Sequence, residues 1–440
     1  MRIPFVLASL RLLVACGGND SPSLDAPTGN HPEPVVLQGG GIGGGAIDGV
    51  VNLYVIDDQT RQPVAGAAVK VGAVDGTTDA TGLFVAAGVT GKQDVIVTAS
   101  GYRSEVWLGA NGANMTMDLQ AATPTVGQAT LSGAITGFQN IPVPAGHAKL
   151  ALVTYSQDDR LADAANNLKT PSDGNVCVGI TTAAACNFSV VSRTGKVSLV
   201  ALIFDRDLKG TPNDPSDDTQ VLVGYASRTG LTVADGVAQT GQDLAILPNA
   251  MTTTESVDFG TPPSGLTAAL GLVGIELADG SGVLQLPVTA PGATSALVPK
   301  LAAFSGAMYR FSGIAQNAAT PPTQSFVLRR HQTGSALAAG TWTAPPTDVS
   351  ITRTHAMWTA SPGATLHSLA FTSGATGIVN ITSFDGTSSF DLPAAIALPS
   401  GTLTATVQAL SAPGLDLTSF ALDTDREKLT GAASQPAQVD

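Results

Sequence analysis

Turn-forming residues interrupt this chain roughly every 8 to 12 positions, a spacing that fits many short strands and little else. Between the interruptions lie apolar, β-branched runs. Val50-Val51-Asn52-Leu53-Tyr54-Val55-Ile56 is followed by the turn residues Asp57-Asp58-Gln59-Thr60, and Pro63 closes any helical option. Ala is plentiful, but Gly, Thr and Pro break each Ala-rich run before it reaches three helical turns. The expected class is all-β, built as tandem β-sandwich modules rather than βαβ units. At 440 residues the chain exceeds what one core organises, so two to four domains are expected.

Composition narrows the function classes. A formal net charge of −13 argues against nucleic acid, whose phosphates need a basic face. A hydrophobic share of 43% is enough to build packed cores.

Residues 1–15 have the parts of a signal peptide: Arg2, then an apolar run from Phe5 to Ala15 that Arg11 interrupts. Leu13-Val14-Ala15-Cys16 reads as a lipobox, and in this respect the chain resembles a bacterial lipoprotein. Cys16 is then the lipidation site, and two or three acyl chains anchor stably where one does not. The expected partner is the membrane and the expected location the cell envelope, at the outer membrane, although Gly17 does not by itself settle which membrane holds the chain. Residues 16–45, ending in Gly39-Gly40-Gly41-Ile42-Gly43-Gly44-Gly45, are expected to be a flexible linker. That Gly run lacks the preceding strand and the following Lys-Ser/Thr of a phosphate-cradling loop.

From Ala46 to Ala121 the strand signals are dense. Pro63-Val64-Ala65-Gly66-Ala67-Ala68-Val69, Thr78-Asp79-Ala80-Thr81-Gly82-Leu83-Phe84 and Val95-Ile96-Val97-Thr98-Ala99-Ser100-Gly101-Tyr102 recur in a characteristic order. On these residues the segment resembles the carboxypeptidase regulatory-like domain, a transthyretin-like β-sandwich grouped with carbohydrate-binding-like folds. The resemblance implies a non-catalytic structural or binding accessory. Read from the residues alone, Gly66 and Gly82 suit turns with positive φ, and Phe84, Val95, Val97 and Tyr102 suit a core.

Residues 128–249 read as a second sandwich. Cys177 and Cys186 are the cysteines left once Cys16 is lipidated, and an oxidising compartment lets them pair. Arg160 to Leu168 has spacing for one or two helical turns. Residues 205–218 hold five of the 34 acids, Asp205, Asp207, Asp214, Asp217 and Asp218, where about one is expected by chance. Hard oxygens concentrated on one loop suit calcium, but the EF-hand spacing is absent and Lys209 intrudes. The alternative is a solvated acidic turn.

Two further β-rich modules, 251–345 and 346–440, are expected on either side of a Pro345-Pro346 hinge. Trp107, Trp342, Trp358, Tyr309 and Tyr225 are candidates for stacking on sugar rings, although aromatics in strands more often fill cores. Arg329-Arg330-His331 reads as a solvated strand end.

The catalytic constellations fail one by one. The five histidines include no HExxH, and there is no GxSxG or P-loop motif. The sequence therefore points to a non-enzymatic, lipid-anchored envelope protein with a structural, adhesive or partner-binding role toward another envelope protein. The alternative is a carbohydrate-binding accessory whose ligand is a glycan.

Overall fold

The computed structural model describes residues 32–440 apart from Gln59, 123–126, 157–174, 212–216, 247–251, 278–282, 286–293, Ser305 and Ala375. The leader, Cys16 and residues 160–168 lie outside the described residues. Among those described there are thirty strands and one four-residue α-helix, so the chain is all-β, as its turn spacing requires.

The first segment supplies β1 (Gly41–Gly43), β2 (Asp48–Asp57), β3 (Ala68–Val71), β4 (Val74–Thr77), β5 (Leu83–Thr90), β6 (Gln93–Thr98), β7 (Ser104–Ala110) and β8 (Asn114–Leu119). The next supplies β9 (Gln128–Thr136), β10 (His147–Ser156), β11 (Asn175–Gly179), β12 (Asn187–Arg193), β13 (Gly195–Asp207), β14 (Thr219–Val233) and β15 (Leu244–Ala245). Then come β16 (Thr252–Asp258), β17 (Thr267–Glu276), β18 (Val283–Gln285), β19 (Ser295–Pro299), β20 (Met308–Gln316), β21 (Gln324–Gln332) and β22 (Ala336–Ala338). The last stretch holds β23 (Thr347–Ile351), β24 (His355–Thr359), β25 (Leu366–Ser373), β26 (Thr376–Ser383), β27 (Ser389–Asp391), β28 (Leu403–Ser411), β29 (Phe420–Ala421) and β30 (Gly431–Val439).

One twelve-stranded sheet, β18-β17-β20-β21-β30-β28-β25-β26-β7-β6-β3-β4, draws strands from three of these stretches. Two seams make it continuous. β7 pairs in parallel with β26, placing Glu105 beside Asn380, and β21 pairs with β30. β30 carries Pro436, which lies beyond the stretch paired with β21, so a ladder on that side loses nothing to the missing N–H.

A five-stranded sheet, β29-β1-β8-β2-β5, closes the first core over β3, β6 and β7. This corrects the linker expectation for the glycine-rich run. Ile42 is 1% exposed in that core, and β1 pairs with both β8 and β29. Glycine is the reason the strand fits: a Cβ on Gly41 would collide with the Phe420 carbonyl. Gly66 and Gly82 have positive φ, and Val95 and Val97 are fully buried. Asp79 builds the turn before β5, its Oδ1 accepting from the amides of Thr81 (2.8 Å) and Leu83 (3.0 Å).

β13 is a continuous apolar run because both its faces are covered. Leu199, Ala201 and Ile203 pack into one core, and Val200, Leu202 and Phe204 into another, shared with β17 and β20. β14 runs unbroken over its fifteen residues, since bulges let one long strand follow β13 throughout.

Candidate functional site

Between the twelve-stranded sheet and β8 lies a cavity of about 140 Å³. β7, β25, β26 and β28 form its floor, and residues 412–429 close it from the other side. Strand alternation decides what faces it. On β7, Val106 and Leu108 point into the neighbouring core, so Glu105 and Trp107 face the cavity. The same alternation presents Asn380 and Thr382 from β26, Ser368 from β25 and Gln408 from β28. Gln408, Ser368, Thr382 and Trp107 are direct neighbours in register, a single row across four strands.

The walls are mainly apolar. Phe384 packs against Trp107 with ring centroids 5.0 Å apart and stacks on Phe420 at 5.9 Å, while Leu366, Leu410 and Leu422 complete the lining. Into this surface project two carboxyls. Asn380 Nδ2 donates to Glu105 Oε1 at 2.8 Å. Burial, reinforced by Asp118, pushes the Glu105 carboxyl well above the usual carboxylate range against the pull of Asn380, Trp107 and Arg103. Burial likewise raises Asp118, with Asp58 adding to it and Arg61 opposing. Both acids border the cavity and so keep some accessible surface, but protein rather than bulk water sets their electrostatics.

Two donors in the lining stand apart. Gln408 is 6% exposed; its Oε1 lies 3.5 Å from the Ser368 hydroxyl, and its Nε2 meets no acceptor among the described residues. Arg103 Nε likewise finds none. Two carboxyls whose neutral form burial favours, an amide and a guanidinium beside aromatic walls can hold a small molecule. Nothing in the arrangement sets up a nucleophile with a base.

Of this site the sequence singled out Trp107 alone, as a stacking candidate. The signal of the rest was faint: isolated acids at Glu105 and Asp118 inside otherwise apolar strands, in a chain that is only 12% charged.

The other residues that the sequence singled out are placed differently. Cys16 lies outside the described residues. Cys177 and Cys186 form a disulfide with Cα atoms 5.5 Å apart, tying β11 to the segment before β12. In the acidic stretch, Asp205 Oδ1 is 2.8 Å from His147 Nδ1, Asp207 pairs with Lys209, and Asp218 pairs with Arg206. Asp217 accepts from the Thr211 hydroxyl at 2.8 Å, and Asp214 lies outside the described residues. Among the described residues, no group of three or more His, Cys, Asp or Glu side chains converges as metal ligands do.

The five candidate stacking aromatics are all core residues: Trp107, Trp342, Trp358, Tyr309 and Tyr225 are each buried. Arg329 and His331 are exposed, while the Arg330 side chain between them is only 6% exposed and pairs with Glu276 at 3.4 Å and Glu427 at 3.2 Å.

No protein-family model and no curated protein matches the chain. Among solved structures, a DUF3823 family protein from Bacteroides uniformis is 10% identical, with 40% of this chain and 100% of that one covered and a TM-score of 0.14. The shaft pilin SpaA from Lactobacillus rhamnosus GG is 12% identical, covering 45% of this chain and 97% of its own, TM-score 0.14. BcpA, the major pilin subunit of Bacillus cereus, is 8% identical over 66% of this chain and 97% of its own, TM-score 0.15. Likenesses at such TM-scores carry no argument about this chain.

Proposed function

We propose that this chain is a non-enzymatic, lipid-anchored protein of the cell envelope, held by Cys16 and acting as a structural, adhesive or partner-binding scaffold. The observation that carries the anchor is Leu13-Val14-Ala15-Cys16 at the end of an apolar leader. The Cys177–Cys186 disulfide supports an oxidising compartment outside the cytosol. A scaffold role is supported by the twelve-stranded sheet, whose seams join the first stretch to the last through backbone hydrogen bonds. In the same reading, residues 46–121 are a carboxypeptidase regulatory-like domain, supported by the left-handed Gly66 and Gly82 and the buried Val95 and Val97.

The test is metabolic labelling of the full chain with an alkyne palmitate, followed by membrane fractionation. The wild type is expected to carry label and sediment with membranes, and Cys16→Ala to lose both. Equal labelling of the two would remove the anchor.

A further inference from the structure

We propose that the cavity between β7, β8, β25, β26 and β28 is a binding site for a small neutral molecule with an apolar body about the size of one ring and an oxygen acceptor. This goes beyond the anchored-scaffold reading and does not depend on it.

Size sets the body. An engineered apolar protein cavity of about 150 Å³ takes up one benzene molecule, and this cavity is about 140 Å³. Leu366, Leu410, Phe384 and Phe420 supply walls for such a body. A ring placed against Trp107 and Phe384 gains contact area with little loss of freedom.

The acceptor follows from the donors. Gln408 lines the cavity and is more than nine-tenths buried, its Oε1 is turned to Ser368, and its buried Nε2 has no acceptor among the described residues. A buried donor left unmet is costly, so a ligand oxygen that reaches it removes a penalty as well as adding a bond. Arg103 Nε, on the other flank of the β25–β26 floor, is a second donor of the same kind.

Neutrality follows from the charges. Around the polar flank stand the carboxyls of Glu105, Asp118, Asp58, Asp423 and Asp425 and the guanidiniums of Arg61, Arg103 and Arg426. Burial favours the neutral form at Glu105 and Asp118, which sets Asp58, Asp423 and Asp425 against the three guanidiniums and leaves no excess of either sign for an ion to meet. A cationic ligand, moreover, offers donors to a site whose free groups are themselves donors.

Calorimetric titration of the folded protein with four probes of similar size tests the proposal: acetophenone, toluene, benzoate and benzylamine. Acetophenone is expected to bind about tenfold more tightly than toluene, the effect of one satisfied buried hydrogen bond. Benzoate and benzylamine are expected to bind more weakly than either. In Gln408→Leu the advantage of acetophenone over toluene is expected to vanish while toluene still binds. The wild-type ranking alone decides the matter if that variant does not fold. No uptake of acetophenone or toluene, or tighter uptake of either charged probe, overturns the proposal. Loss of lipid labelling in the Cys16→Ala variant bears on the anchor alone and leaves this ranking untouched.

Discussion

Asn380 donates a hydrogen bond to Glu105 across 275 positions of sequence, at 2.8 Å. The bond crosses the seam where β7 and β26 run in parallel, and it ties two neighbouring strands of the cavity floor together. Glu105 is thus held by a partner that only folding brings near.

Stability should fall as pH rises through this carboxyl. Its folded pKa is raised by burial first and Asp118 second, so the native state keeps a proton that the unfolded chain releases. The contribution is fully present below the ordinary carboxylate value and is lost as pH climbs from there toward the raised folded value. Glu105→Gln keeps the acceptor for Asn380 but cannot ionise. Urea melts at about pH 5 and about pH 8 are expected to show the variant gaining on the wild type with pH. A difference that stays constant across that range would count against the raised pKa.

Lys149 is 1% exposed, and its Nζ donates to the carbonyls of Phe138 (2.6 Å) and Thr182 (2.7 Å) while standing 4.5 Å from the Phe138 ring centroid. Lys149→Met keeps the stem and removes the charged donor, so the Phe138 carbonyl keeps only its bond from the Ile141 amide at 3.1 Å. The expected loss is about 1–3 kcal/mol in chemical denaturation.

The Cys177–Cys186 bridge closes a loop with a sequence separation of 9. By chain entropy such a bridge contributes up to roughly 3 kcal/mol. A Cys177→Ala, Cys186→Ala double variant is expected to shift the urea midpoint down by the corresponding amount. An unmoved midpoint would mean that the surrounding sheet holds this loop without the bridge.

Two glycines separate steric from conformational cost. Gly82 has φ +74°, and a Cβ there would lie 2.6 Å from the Val55 carbonyl oxygen. Gly88 has φ +78° with nothing within 4 Å. Gly88→Ala is expected to lose about 1 kcal/mol for the backbone alone, and Gly82→Ala about 1–3 kcal/mol or more because β2 must move as well. Thermal melts of the two variants compare them directly.

Four of the five aspartates in the acidic stretch already face a cation, an imidazole or a hydroxyl. Millimolar Ca²⁺ is therefore expected to leave the melting temperature where EDTA leaves it. A rise with Ca²⁺ would show that the loop gathers these oxygens around the ion, since a ligand that binds only the folded state must stabilise it.

By itself the sequence determined the class of the fold. Period-two alternation and regular turn residues are local properties, and they placed β2 close to where it lies. It also paired Cys177 with Cys186, because Cys16 was read as the lipidation site. Only tertiary structure decided the pairing of β7 with β26, the use of Gly41–Gly43 as a strand, and the central place of β30 despite Pro436. Which strand ends become neighbours depends on the packing of whole sheets, and no local pattern encodes it. The cavity is the sharpest case. Glu105, Asn380 and Gln408 come from three strands spread over some three hundred residues, and their chemistry exists only where those strands meet.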